Sequence, residues 1–386
     1  MRVLFAGGGT GGHIYPGITI ADALKASGED VEALFVGSRR GLENEIVPRK
    51  GYRLVTIDIA GFERRISLKT AKTLVKAFKG CWQALGVIRS FRPDVVVGTG
   101  GYVCGPVVMV AKLLRIPALI HEQNAIPGVT NRILSAFVDI VAATYSESVS
   151  CFRRPDRVVV TGNPVRPSVL AATREGGSAR LGLDPQKPTL LVFGGSQGAR
   201  AINQAMIEGI PLLLQGMPDI QIIHQTGKLD YDKVREELRA RNLYDGSRGR
   251  GGIIVTPYIY EMENALAAAD LVVSRAGAIS IAEITARGLP AILIPLPTAA
   301  EHHQERNARA LEAGGAARVI LEPDLDGRRL AMNILELLRD KDALREMAAG
   351  SKKLGRPEAT RELVRLVKAL ASRGGSQAGA AAKSGR

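Results

Sequence analysis

Apolar residues along the chain fall into short runs separated by longer stretches of helical periodicity. Strand-length runs occupy residues 3–6, 31–36, 95–97, 118–120, 140–143 and 158–160 in the first half, and 220–224, 253–255, 271–274 and 291–294 in the second. After the first run, Ile18, Ala21 and Leu24 keep the spacing of one helix face. Such alternation predicts parallel sheets covered by helices. Between the halves, residues 163–188 are less regular, with prolines at 164, 167, 185 and 188, and read as an interdomain linker. Directly afterwards TLLVFGGSQGARAINQA restarts the amino-terminal order of strand, glycine-rich turn and helix.

The expected fold class is therefore α/β, with two Rossmann-like doubly wound domains facing each other across a cleft beyond the carboxyl ends of their strands. Residues 1–163 form the first domain and 164–345 the second. Closing helices at 346–371 are expected to pack back on the first domain, and 372–386 (SRGGSQAGAAAKSGR), low in complexity, to be a disordered tail.

Composition narrows the partners. The formal net charge of +14 over 386 residues favours an anionic partner: nucleic acid, a phospholipid surface or a phosphorylated substrate. Aromatic residues make up only 4% of the chain, which argues against an RNA-binding sheet face. Cys81, Cys104 and Cys151 are widely spaced and read as single thiols in a reducing compartment. The amino-terminal apolar stretch is too short for a signal peptide, and glycines, prolines and charges break the best spanning candidate at 95–120. A cytoplasmic protein without a membrane span is expected.

Three glycine turns follow strands: GGGTGGHIYPG at 7–17, GTGGYVCGP at 98–106 and GGSQGAR at 194–200. Glycine lets the backbone turn sharply and lets a ligand approach, and a helix amino terminus beyond it offers N–H groups to an anion. Gly7, Gly9 and Gly12 fit GxGxxG, but the second strand ends in FVGSRR, without the acidic residue that an NAD site places on the ribose. Its arginines would suit only NADP, and an oxidoreductase needs just one such loop. Glycine turns in both halves point to a phosphate-bearing ligand in each. No metal constellation is evident: HEQNA lacks the second histidine of HExxH, and His302 and His303 are adjacent rather than four apart.

These loops, with HEQN at 121–124, GNPVR at 162–166 and SRAGAISIAE at 274–283, occur in the order and approximate spacing of the MurG family, which the chain resembles over about residues 1–370. The resemblance implies the GT-B glycosyltransferase fold. It implies an inverting transfer of N-acetylglucosamine from UDP-N-acetylglucosamine to the 4-hydroxyl of lipid-linked N-acetylmuramoyl-pentapeptide, in peptidoglycan synthesis, with no cofactor and no essential metal. The alternatives within this architecture are a glycolipid glycosyltransferase and a UDP-N-acetylglucosamine epimerase.

Carried onto this sequence, the family pattern implies donor contacts at Thr10, Gly11, Gly12, Asn124, Arg166, Ser196, Gln197, Gly198, Ile259, Ala278, Ile279, Ser280, Glu283, His303 and Gln304. The diphosphate would lie on GGSQGAR, the ribose on Glu283, and the uracil edge on the Ile259 backbone. Glu283 also has the S-x-x-E spacing of a capping box with Ser280, and the alternative for Arg166 is a linker arginine paired with a surface carboxylate. His303 stands where the family often has glutamine, so Gln304 carries the sharper expectation of a sugar contact. The acceptor would meet Gly9, Thr10, Gly100, Gly101 and Tyr102. His13 is the candidate general base, against a packing role at the loop, since a histidine with an ordinary pKa near 6.5 accepts protons near neutrality. Glu122 either orients it or is the base.

Residues 67–88 place Ala71, Val75, Phe78, Trp82 and Leu85 on one helical stripe and Lys69, Lys72, Lys76 and Lys79 on another. That pattern suits contact with an anionic membrane surface, the alternative being an ordinary helix packed on the sheet. The expected location is peripheral, on the cytoplasmic face of the membrane. No nucleic-acid partner is expected.

Overall fold

A computed structural model of the chain describes residues 1–59, 68–244, 252–299 and 302–383, with the side chains of 68–77 and 374–383 outside the description. Two compact units result: residues 1–164 with 358–386, and residues 165–357.

The first unit holds a seven-stranded parallel sheet made of β1 (Arg2–Gly7), β2 (Glu32–Ser38), β3 (Arg53–Ile57), β4 (Val95–Gly100), β5 (Ala118–Glu122), β6 (Ile140–Ala143) and β7 (Val158–Val160). Their order is β3-β2-β1-β4-β5-β6-β7. Both faces are covered, which is why the strands are continuously apolar rather than alternating. Along β1, Leu4 and Ala6 face Ile88, Val107 and Val108, while Val3 and Phe5 join Ile18 and Leu24 on the other side. The last helix, Ala359–Lys383, completes that second face with Leu363, Leu366, Val367 and Leu370.

The second unit repeats the plan with six parallel strands: β8 (Thr189–Phe193), β9 (Gln221–Gln225), β10 (Ile253–Thr256), β11 (Leu271–Ser274), β12 (Ala291–Leu293) and β13 (Ala317–Val319), ordered β10-β9-β8-β11-β12-β13. Leu190 and Val192 point into one core and Leu191 and Phe193 into the other.

Residues 165–188 are not a loose linker. They form the short helices Pro167–Ala171 and Arg174–Leu181, bury Val165, Val169 and Leu183, and are tied down by Arg174, which binds both carboxylate oxygens of Asp270 at 2.7 and 2.9 Å. The helix Lys341–Leu354 belongs to the second unit, and the chain returns to the first at Pro357/Glu358. The tail expected at 372–386 falls mostly on side chains and residues outside the description.

Each sheet also buries a histidine. His121, on β5, donates its Nε2–H to the Gly162 carbonyl at 3.1 Å, and Gln123 supplies an N–H to Nδ1 at 3.1 Å. Burial pushes its pKa down to about 4 although the Gly162 bond pulls it up. His224, on β9, donates to Asn203 Oδ1 at 3.0 Å and is also pushed down to about 4 by burial.

Two outcomes follow from this packing. Leu363→Ala should cost the first unit about 2–5 kcal/mol in urea unfolding, as for a truncated fully buried leucine, and a loss below about 0.5 kcal/mol would mean that the closing helix does not dock as described. The buried histidines should make the protein acid-labile. Their folded pKa lies below the unfolded value near 6.5, so the unfolded chain takes up protons first. The stability is complete above pH 6.5 and falls as pH drops toward 4, by about 2.5 kcal/mol per histidine between pH 7.5 and 4.5. His224→Asn should flatten that dependence in paired urea titrations, and an unchanged slope would refute it.

Candidate active site

In each unit the strand order reverses beside the first strand. Connections after β1 and β4, and after β8 and β11, leave toward opposite faces, opening a crevice beyond the strand ends. All three glycine turns named from the sequence, and SRAGAISIAE, sit at these reversals. The helices that follow β1, β8 and β11 begin at Gly11, Arg200 and Ala278 with no side-chain cap and no acidic residue in the first turn. Three helices elsewhere in the second unit are capped, by Thr173, Asp326 and Asp340. A helix end left uncapped carries about half a positive charge and unsatisfied N–H groups, a seat for an anion.

At the first reversal, His13 lies one turn into the helix Gly11–Ala26. Its Nδ1 is 3.1 Å from the Gly8 carbonyl and 3.4 Å from Thr10 Oγ1. Because a carbonyl oxygen can only accept, Nδ1 carries a proton, and the neutral ring then has its acceptor lone pair on Nε2. Gly100, at φ 105°, lets the second glycine turn pass over this ring: a Cβ there would come within 2.8 Å of His13 Cδ2. Gly9, Thr10, Gly12 and Tyr102 are exposed around it, Gly11 and Gly101 are half-buried, and Gly100 is buried. Cys104 behind the turn is inert, its thiol pushed up to about 12 by burial.

Glu122 ends β5, and both its oxygens serve the loop that follows. Oε1 accepts from the Asn124 backbone N–H at 3.0 Å and its side-chain amide at 3.3 Å; Oε2 accepts from Asn131 at 2.8 Å and the Gly128 N–H at 3.1 Å. Burial raises its pKa, with those four bonds opposing. This geometry ties both oxygens of Glu122 to Asn124, Asn131 and Gly128, and the described hydrogen bonds of its carboxylate do not include His13. Gln123 donates to the Thr99 carbonyl at 2.7 Å, joining β4 to β5.

In the second unit, Ser196 and Gln197 are exposed on the turn after β8. Gly198, at φ 77°, is wedged on Thr226, whose carbonyl a Cβ would strike. Gln225 spans two of the candidate elements, donating to the Gly195 carbonyl at 2.8 Å and accepting the Ile259 N–H at 2.9 Å. The Ile259 N–H is thus committed within the protein, which directs the expectation for a base edge to its carbonyl. Arg166 and Glu283, 117 positions apart, meet at 2.7 Å through Arg166 Nε and Glu283 Oε1, with Glu263 at 3.6 Å from the guanidinium. Burial lowers the Arg166 pKa, but the Glu283 hydrogen bond and the Glu283 and Glu263 charges outweigh it. Gly277, not Ser280, is the N-cap of the helix Ala278–Ala286, so the capping box does not form. Gln304 accepts the Leu296 N–H at 3.0 Å, and half-buried His303 opens the helix His303–Ala313. Arg275, which the sequence reading passed over, is buried and bound to Glu322 and to the carbonyls of Ile294 and Pro295 at 3.1 Å, bracing the strand ends. Among the described residues, no three His, Cys, Asp or Glu side chains gather as a metal site.

On the helix Leu68–Phe91, the described face toward the core is Cys81, Ala84, Leu85 and Ile88. Phe78 and Trp82 turn outward and are 76% and 71% exposed, and Lys79 pairs with Asp58 at 2.9 Å. Ala71, Val75, Lys69, Lys72 and Lys76 have side chains outside the description, and Ser67 lies outside the described residues. No helix among the described residues is long and apolar enough to cross a membrane.

Residues 3–143 match the glycosyltransferase family 28 N-terminal domain, and 189–363 the family 28 C-terminal domain. The chain is 49% identical to the UDP-N-acetylglucosamine--N-acetylmuramyl-(pentapeptide) pyrophosphoryl-undecaprenol N-acetylglucosamine transferase of Desulforamulus reducens, over 97% of this chain and all of that one. Its identity to the transferase of the same name from Caldanaerobacter subterraneus is also 49%, over 96% of this chain and all of the relative. Among solved structures, Acinetobacter baumannii MurG superposes with a TM-score of 0.72 at 29% identity, covering 95% of this chain and 99% of that one. A putative UDP-N-acetylglucosamine 2-epimerase from Listeria monocytogenes shares the fold, with a TM-score of 0.67 at 16% identity over 95% of each chain. With strand reversals, glycine turns and near-complete coverage in agreement, the chain belongs to the MurG family of glycosyltransferases.

Proposed function

We propose that the protein transfers N-acetylglucosamine from UDP-N-acetylglucosamine to the 4-hydroxyl of undecaprenyl-pyrophosphoryl-N-acetylmuramoyl-pentapeptide, with inversion. The observation that carries this reading is 49% identity, along the whole of two relatives bearing that name, in a chain whose family motifs lie on the strand reversals. The acceptor oxygen attacks the anomeric carbon as the bond to UDP breaks, and the hydroxyl proton passes to His13 Nε2. Gly9, Thr10, Gly100, Gly101 and Tyr102 bind the acceptor's polar groups, with Asn124 held by Glu122 for a sugar hydroxyl.

In the second unit, Ser196, Gln197 and Gly198 and the amino end of the helix Arg200–Gly216 take the diphosphate, where the helix end stabilises the charge that develops on departing UDP. Glu283 takes the ribose hydroxyls, Ile259 the uracil, and Ala278, Ile279 and Ser280 line the donor beside the uncapped helix end. His303 and Gln304 address the sugar. In the first unit, Thr10, Gly11 and Gly12 offer backbone N–H groups at the uncapped start of the helix Gly11–Ala26.

A lipid-linked acceptor places the enzyme at a membrane. Phe78 and Trp82 supply an outward aromatic pair on a basic helix, and further apolar side chains are exposed at Leu113, Val129, Ile133 and Phe137 of the same unit. Peripheral binding to the anionic cytoplasmic leaflet through this face follows.

His13→Asn should lower kcat for labelled N-acetylglucosamine transfer by about 10²–10⁴-fold while leaving KM for UDP-N-acetylglucosamine within a few-fold. Activity within about ten-fold of wild type would remove His13 as the base, and turnover of the donor without acceptor would favour an epimerase. Replacing both Phe78 and Trp82 by serine should weaken binding to phosphatidylglycerol-containing vesicles by at least about ten-fold in a flotation assay; unchanged binding would move the membrane face elsewhere.

A further inference from the structure

One carboxylate near the first reversal is unused by the reaction just described. Glu43, first residue of the helix Glu43–Arg49, is completely buried. Its Oε1 accepts the Ser38 N–H and the Ser38 hydroxyl, each at 2.7 Å, and its Oε2 accepts the Gly9 N–H at 2.8 Å. Gly8, Gly37 and Gly41 close around it, and a Cβ on any of the three would collide with the Glu43 side chain. The fit is built around the acid: the sequence spends three glycines and a serine on holding it under the first glycine turn.

The Gly9 N–H and the Gly8 carbonyl belong to one peptide unit. The N–H side of that unit faces Glu43, and its oxygen faces His13 Nδ1 at 3.1 Å. Carboxylate, peptide and imidazole therefore form a continuous line of two hydrogen bonds. We infer that Glu43 is a positioning residue for His13, acting through the Gly8–Gly9 peptide to fix the ring's tautomer and to strengthen its basicity. This inference rests on the proposed role of His13 as base.

The physical effect has a definite sign. A carboxylate that accepts a peptide N–H shifts electron density toward the carbonyl oxygen of the same unit. Successive bonds polarise one another by about 10–30% each. The carbonyl becomes the better acceptor, and the positive ring formed when His13 takes a proton is stabilised more than the neutral ring. The arrangement does the work of a carboxylate–histidine pair with a peptide inserted between the partners. The elements around the ring carry Tyr15, Asp22 and Lys25 on its own helix, Tyr102 and Cys104 on the second glycine turn, Arg39, Arg40, Glu43, Glu45 and Arg49 on the loop and helix after β2, and Glu122 on β5; Glu43 is the carboxylate that the two hydrogen bonds join to the ring.

The test reads His13 directly. The chain has only five histidines, so nitrogen-labelled histidine gives an NMR titration of each ring in the intact enzyme. Glu43→Gln keeps the size and removes the charge; it should lower the His13 midpoint by about half a pH unit or more and move the acid limb of kcat/KM by the same amount. Ser38→Ala removes one donor from Oε1, leaves the carboxylate more basic, and should move the midpoint upward by about 0.2 unit or more; it decides the matter if Glu43→Gln does not fold. A lower rate with an unmoved midpoint would reduce Glu43 to a purely structural role and overturn the inference. An acid limb that survives in His13→Asn would overturn His13 as the base, and this inference with it. A limb lost in His13→Asn but fixed in Glu43→Gln would overturn the coupling alone.

Discussion

Two neighbouring parallel strands whose connections depart toward opposite faces leave a gap at their carboxyl ends that no element of the sheet can fill. The glycine turns of this protein sit on that constraint, met once between β1 and β4 and again between β8 and β11. The helices that start at the gap point their amino ends into it, and no side chain caps them. An uncapped helix end is a deficit that water or a ligand must make good. Side-chain caps are made at Thr173, Asp326 and Asp340, and none is made at these reversals, where unsatisfied N–H groups are left at the strand ends.

Turns rich in glycine are poor at holding one shape, and the protein answers with buried polar side chains. Glu43 gathers Gly9 and Ser38, Glu122 gathers Asn124, Gly128 and Asn131, and Gln225 joins Gly195 to Ile259. Each side chain replaces a flexible loop's many conformations by one, and each is buried enough that leaving its partners unmet would cost about 1–3 kcal/mol per group. The same residues thus fix the backbone directions of the loops they hold.

The architecture was readable because strands buried on both faces are unbroken apolar runs. Two strands escaped that reading: β3, whose RLVTI mixes polar with apolar residues at the edge of its sheet, and three-residue β13 at the edge of the other. Prolines at 164, 167, 185 and 188 suggested a linker, but two of them flank short helices that pack by their apolar residues and by Arg174. Glycine turns were legible because residue type alone carries their backbone freedom, and His13 was placed beside the first of them by its position in the sequence. Glu43 was not, since its partner Gly9 is 34 positions away and nothing local marks the pairing. At Ser280 and Glu283 the local capping pattern, the less favoured of the two readings, is present in sequence but not formed: the carboxylate binds a guanidinium instead.

The Arg166–Glu283 pair shows what that choice gives the side chain. A carboxylate as buried as Glu283 is expensive unless a charge-assisted bond compensates it, and Arg166 supplies one at 2.7 Å. That bond engages Oε1 alone; Oε2 makes no hydrogen bond or ion pair to any described residue. The carboxylate is therefore stabilised before substrate arrives and still has an oxygen with which to accept a hydroxyl. Arg166 in turn keeps donors beyond Nε, with Nη1 3.6 Å from Glu263. A capping box would have used the same oxygens to close the end of the helix Ala278–Ala286, which no side chain caps.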